Sequence, residues 1–143
     1  RFVAETDEQF DVIIVDSTDP IGPGEVLFTP EFFAGCARCL TDKGILVTQS
    51  GVSFMQEEEA AATFKRLDAL FTDASLYITQ VPTYAAGFMT FGWGCHSPEP
   101  RRSTLEDITP RVASLDLKTR YYSPEVHTAC FSLPTYVDEL RQD

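Results

Sequence analysis

The sequence is 143 residues long, 43% hydrophobic and 12% aromatic, which suffices for one domain, or part of one, with a packed core. Its formal net charge of -11 disfavours nucleic acid and anionic membrane as partners, because both need a basic surface, and weakly favours cationic ligands. No apolar run approaches the roughly 18 residues of a membrane span and no charged-then-apolar leader is seen, so a soluble, cytoplasmic protein is expected.

The stretch Phe10 to Phe28 organises the rest. Val12, Ile13, Ile14 and Val15 form an unbroken β-branched run, which suits a strand covered on both faces in a parallel sheet. The run stops at Asp16. Asp19 follows three residues later, and Pro20, Gly22, Pro23 and Gly24 end any strand. Ligands of open α/β sheets bind outside the carboxyl ends of the strands, where this pair of acids falls.

Thr29-Pro30-Glu31 is a helix opening: a capping hydroxyl, a proline at the first helical position and an acid at the positive dipole end. Phe33, Cys36 and Leu40 mark its apolar face, Gly44 supplies the stop, and Ile45 to Gln49 reads as a second buried strand. A βαβ unit follows, with parallel pairing and Gln49-Ser50-Gly51 on the same sheet edge as Asp16. Ser53 and Gln56 offer a capping box ahead of Glu57, Glu58 and Glu59. Ala60, Phe64, Leu67 and Phe71 form the buried stripe of that helix, and Lys65, Arg66 and Asp68 face outward.

Two further strands are expected, Leu76 to Val81 and Phe88 to Trp93, with Tyr84 in the loop between them. The connection is too short for a helical crossover, so they pair antiparallel. Gly92 and Gly94 precede no helix and read as close-packing glycines rather than a phosphate cradle. The segment from Ser97 to Arg102 is a surface connection, a short helix lies between Thr104 and Leu115, and Arg120 to Phe131 is irregular or extended. Pro134 opens a last helix to about Arg141. Cys36 and Cys39 form a CxxC inside a helical pattern with no second pair to complete a zinc site, so no metal is expected.

The run Asp16-Ser17-Thr18-Asp19-Pro20-Ile21-Gly22-Pro23 resembles the signature of the spermidine synthase family, the polyamine aminopropyltransferases. The likeness continues through Gln49-Ser50-Gly51, Pro82-Thr83-Tyr84 and Arg120-Tyr121-Tyr122 to Leu133-Pro134. It implies an α/β, Rossmann-like class I methyltransferase fold, with a mostly parallel sheet closed by an antiparallel hairpin. Residues 1–143 would be the carboxyl-terminal part of the catalytic domain, with the amino-terminal β domain and the donor-binding half upstream of Arg1. In the whole fold the first strand is central; in this chain alone it would be a bare edge.

The resemblance also implies a chemistry. An aminopropyl group passes from decarboxylated S-adenosylmethionine, a co-substrate rather than a cofactor, to putrescine, giving spermidine and methylthioadenosine. The attacking amine must be neutral, yet alkylammonium has a pKa near 10.4 against about 3.9 for a typical carboxyl, a gap of roughly 9 kcal/mol. Paired acids in a dry pocket are the usual means of narrowing it. By resemblance Asp16 is the general base and Asp19 its partner in holding the polyamine. Ser17 and Thr18 lie inside the binding segment, Tyr84 orients the amine, Gln49 is a weaker substrate contact, and Pro23 falls on the methylthioadenosine side. A homodimer or homotetramer is expected of the full-length protein. Two other readings fit these residues: a putrescine N-methyltransferase on the same scaffold, and a non-catalytic polyamine-binding module.

Overall fold

The computed structural model describes residues 2–17, 22–84 and 87–142. Its elements, in chain order, are α1 (Phe2–Glu5), β1 (Phe10–Val15), a 3₁₀ segment (Gly22–Phe28), α2 (Pro30–Arg38), β2 (Leu40–Val52), α3 (Glu57–Asp68), β3 (Asp73–Thr79), β4 (Met89–Cys95), α4 (Leu105–Ser114), α5 (Pro124–Ala129) and α6 (Thr135–Glu139). The sheet order is β1-β2-β4-β3. β1 and β2 pair parallel, and β4 pairs antiparallel with both β2 and β3. Three strands therefore point one way and β4 is inserted against them, which is the expected α/β arrangement closed by a hairpin.

The opening of α2 follows its sequence pattern. Thr29 Oγ1 accepts the Phe32 N–H at 3.2 Å and Pro30 begins the helix. Phe33 and Cys36 then enter a core formed with Val15, Leu46, Leu67 and Phe71 from β1, β2 and the α3 end. Full burial of a side chain such as Phe33 contributes about 1.5–3 kcal/mol. Cys36 and Cys39 are buried free thiols. Burial first, then the neighbouring Cys39, pushes the Cys36 thiol up to about 11, so it behaves as an apolar filler. α1, which no sequence signal announced, lies over α2: Arg38 donates to the Val3 carbonyl at 2.9 Å, and a Cβ on Gly35 would meet that same oxygen at 2.9 Å.

Several expectations need correction. Leu40 does not end α2 but begins β2, a strand of 13 residues. Gly44 is therefore no helix stop; it sits inside the strand where a Cβ would strike the Phe10 carbonyl at 2.9 Å, beside a register shift between Phe10 and Val12. The Ser53–Gln56 capping box does not form. Gln56 is itself the N-cap of α3, and its Oε1 accepts the Val52 N–H at 3.0 Å. Arg66 is not simply outward-facing; its guanidinium lies 5.9 Å above the Phe33 ring. The 124–129 segment is a helix: Ser123 accepts the Val126 N–H at 3.2 Å and Pro124 follows, a repeat of the Thr29-Pro30 opening.

Gly92 and Gly94 are packing glycines, as expected. A Cβ at Gly92 would meet Leu67 at 2.6 Å, and one at Gly94 would meet Phe71 at 2.5 Å, so α3 can approach β4 only because these side chains are missing. On the opposite face Tyr77 stacks on Phe91 at 5.2 Å, and Phe131, just past α5, packs on Tyr77 and edge-on to Trp93, each at 5.5 Å. The 97–102 connection also contributes to this face. Arg101 reaches Asp73 with Nε at 2.8 Å from Oδ2 and a second nitrogen at 2.5 Å from Oδ1, while Trp93 Nε1 donates to Oδ2 at 3.1 Å.

β1 is covered on one face only. Ile13 and Val15 meet the core, whereas Val12 and Ile14 are 53% and 72% exposed on the sheet's edge strand. An apolar edge with unpaired backbone groups templates association. Residues 1–143 expressed alone are accordingly expected to self-associate in sedimentation. A monomeric mass together with a cooperative unfolding transition would refute this.

Candidate active site

Because β1, β2 and β3 run in one direction, their carboxyl ends share one edge of the sheet. Val15 pairs with Thr48, so Asp16 leaves β1 level with Gln49 on β2. The Gln49 amide faces two acceptors, the Ser17 carbonyl and Asp16 Oδ1. Its nitrogen is therefore the group placed there, donating to Ser17 O at 2.7 Å and to Asp16 Oδ1 at 3.1 Å. Ser17 is buried and Asp16 exposed. Thr18 and Asp19, the other two members of the expected binding segment, lie outside the described residues.

Gly22 has φ +64°, a left-handed conformation that favours glycine, and its N–H meets Glu25 Oε1 at 3.3 Å. Pro23 is exposed within the 3₁₀ segment, whose end is tied to α2 by Thr29 Oγ1 donating to the Val26 carbonyl at 3.0 Å. β2 is irregular near its end at the same edge: Gly51 has φ +75°, and the β2–β4 register shifts between Gln49 and Val52. The β3–β4 loop closes the edge. Tyr84 sits there, its N–H bonded to the Val81 carbonyl at 3.0 Å and its side chain 45% exposed. Asp16, Ser17, Gln49 and the Tyr84 loop are thus gathered on one edge, and Gln49 is in direct contact with Asp16. Among the described residues no group of three or more His, Cys, Asp or Glu side chains could hold a metal ion.

Next to this edge lies a cavity of about 300 Å³ that no motif announced, walled by Tyr77, Phe91, Trp93, Tyr121, His127 and Phe131 among others. Tyr121 secures its rim, bonding Thr79 Oγ1 at 2.7 Å and the Gln80 N–H at 3.0 Å, where the Tyr84 loop begins. Burial, then Cys130, pushes the Tyr77 phenol up to about 12, and burial lowers His127, so at both groups burial disfavours the charged form. The matching residues Arg120-Tyr121-Tyr122 drew attention in the sequence, but their partners come from a distant strand and carry no local signal.

Comparison with known proteins gives this edge a context. The spermine/spermidine synthase domain matches residues 1–103, which include Asp16, Gln49 and Tyr84. The chain belongs to the spermine/spermidine synthase family. A polyamine aminopropyltransferase of Ruegeria sp. (strain TM1040) is 53% identical over 139 residues, covering 97% of this chain and 49% of that protein. Polyamine aminopropyltransferase 1 of Pseudomonas aeruginosa is 53% identical over 137 residues, covering 96% and 48%. Among solved structures, a spermidine synthase in complex with the transition-state analogue AdoDATO superposes with a TM-score of 0.88 at 28% identity, covering 98% of this chain and 47% of that one. Spermidine synthase from Thermotoga maritima gives 0.81 at 26% identity, covering 98% and 45%.

This member of the family thus spans about half the length of the curated relatives it matches. The solved structures bear out the Rossmann-like fold expected from the sequence. No helix among the described residues is long and apolar enough to cross a membrane.

Proposed function

We propose that the full-length protein transfers an aminopropyl group from decarboxylated S-adenosylmethionine to putrescine, releasing spermidine and methylthioadenosine. The observation that carries this is the Asp16 carboxylate at the carboxyl end of β1, held by Gln49 in a chain of this family. In the reaction the putrescine nitrogen attacks the aminopropyl carbon next to the sulfonium. The new C–N bond forms as the C–S bond breaks, its electron pair goes to sulfur, and the amine proton passes to Asp16. Asp19 helps to bind the polyamine with Ser17 and Thr18, Tyr84 orients the attacking amine, and Pro23 lies on the methylthioadenosine side. The chemistry is a displacement with one proton transfer and calls on no metal or cofactor. Residues 1–143 supply the base and acceptor side, and the donor half comes from the rest of the chain. The assembled enzyme is a homodimer or homotetramer.

Product analysis tests the proposal. The full-length protein given decarboxylated S-adenosylmethionine and putrescine should form spermidine and methylthioadenosine. Methyl transfer from S-adenosylmethionine instead would make it an N-methyltransferase, and binding of putrescine with no product from either donor would make it a binding module. A second expectation follows from the acids: putrescine affinity should weaken as salt rises, because part of the attraction is between charges. A dicarboxylate of similar length should not compete, and equal competition would sink the cationic site.

A further inference from the structure

We infer that Gln49 is a positioning residue that fixes the Asp16 carboxylate by its Oδ1, leaving Oδ2 as the oxygen that takes the amine proton. This rests on the aminopropyl-transfer reading above and changes the role of Gln49 within it, from a substrate contact to a clamp on the base. An amide nitrogen carries two hydrogens. In Gln49 one goes to the Ser17 carbonyl at 2.7 Å and the other to Asp16 Oδ1 at 3.1 Å, so the donor capacity of that nitrogen is used up by the β1 end.

The clamp has a rigid mount. Gln49 is paired on one side of β2 with Phe91 of β4, while the preceding residue, Thr48, pairs with Val15 on the other side. Its backbone is thereby fixed by both neighbours. One amide thus secures two consecutive residues after β1, a main-chain carbonyl and a side-chain oxygen, and so sets both where Asp16 lies and how its carboxylate is rotated. Among the described residues no cation pairs with Asp16 and nothing else occupies Oδ2; Asp19 is the neighbouring acid in sequence. Proton transfer needs the acceptor oxygen within hydrogen-bond reach of the amine, so a carboxylate free to rotate would spend much of its time misaimed.

The test uses the full-length enzyme with decarboxylated S-adenosylmethionine and putrescine. Gln49→Leu removes the clamp. Loss of a hydrogen bond to a charged group corresponds to about 10- to 100-fold, expected here in kcat, with KM for putrescine changed by less than about threefold. Gln49→Glu keeps the shape but can donate only while the introduced carboxyl is protonated. Its rate should fall as pH rises, opposite to the wild type. In an Asp16→Asn background Gln49→Leu should cost nothing further in kcat, because the group it positions is gone.

A Gln49→Leu enzyme that is merely less stable, or raises KM with kcat unchanged, overturns the clamp and leaves a backbone staple. Gln49→Glu, close in size, serves if Gln49→Leu does not fold. If Asp16→Asn itself keeps turnover, base and clamp both fall; if Asp16→Asn collapses while both Gln49 variants keep wild-type kcat and pH profile, only the clamp falls.

Discussion

Asp16→Asn in the full-length enzyme should lower kcat by about 10² to 10⁴-fold, the range typical of removing a general base. The substitution keeps size and hydrogen-bonding reach, so the amide can still meet Gln49 and donor binding should largely survive. What it removes is the capacity to accept a proton from an amine that is mostly charged at neutral pH. Raising the pH should therefore rescue the variant in part, because more amine arrives already neutral. Asp19→Asn should behave differently, raising the apparent KM for the diamine more than it lowers kcat. Retention of more than about a tenth of wild-type turnover by Asp16→Asn at neutral pH would show that another group takes the proton.

Arg101→Leu should be the most destabilising of the surface-loop substitutions. Asp73 is only 5% exposed and its two oxygens are held by Arg101 and by the Trp93 indole. The hydrogen bonds that Arg101 donates to Asp73 raise its guanidinium further above its already high range, while burial opposes this. Removing one partner of a buried pair strands the other, at a typical cost of 3–5 kcal/mol; with Arg101 a quarter exposed the lower end, about 3 kcal/mol, is expected. Denaturant unfolding of the full-length protein measures it. The double substitution Asp73→Leu with Arg101→Leu should cost less than the sum of the singles. Unchanged stability of Arg101→Leu would mean that water replaces the guanidinium at Asp73.

The contrast between these two sites shows what a linear reading can reach. The contact of Asp16 with Gln49 was accessible in outline, because a βαβ unit puts the ends of parallel strands on one edge and the residues after β1 and at the end of β2 must then meet. Which atom donates to which was not, since that depends on side-chain rotation. The Asp73–Arg101 pair had no such rule behind it: the arginine lies in a proline-rich connection that reads as surface, and only the closing of the hairpin carries it over the aspartate. Local signals succeeded where a whole pattern was present, as at Thr29-Pro30-Glu31. The same pattern at Ser123-Pro124-Glu125 is not enough by itself, because a helix as short as α5 offers too little apolar periodicity behind its cap. Gly44 misled for the opposite reason. A glycine after an apolar face is the ordinary mark of a helix end, yet here it lets β1 and β2 approach each other.

The strand order imposes a sequence of events during synthesis. β1 and β2 can pair as soon as both have left the ribosome, and α2, which connects them, packs as they do. β3 emerges next but has no hydrogen-bonding neighbour in the sheet other than β4, which has not yet been made. It must wait as an unpaired strand, shielded on one side by α3, until the residues up to Cys95 are free and β4 can enter between it and β2. With elongation at about 5–20 residues per second and hairpins closing within microseconds, the wait is set by translation rather than by folding. A pause that left the chain exposed only as far as the stretch between Thr79 and Met89 would therefore leave nascent chains with an open β2 edge and a loose β3, the form most exposed to pairing with a neighbouring chain.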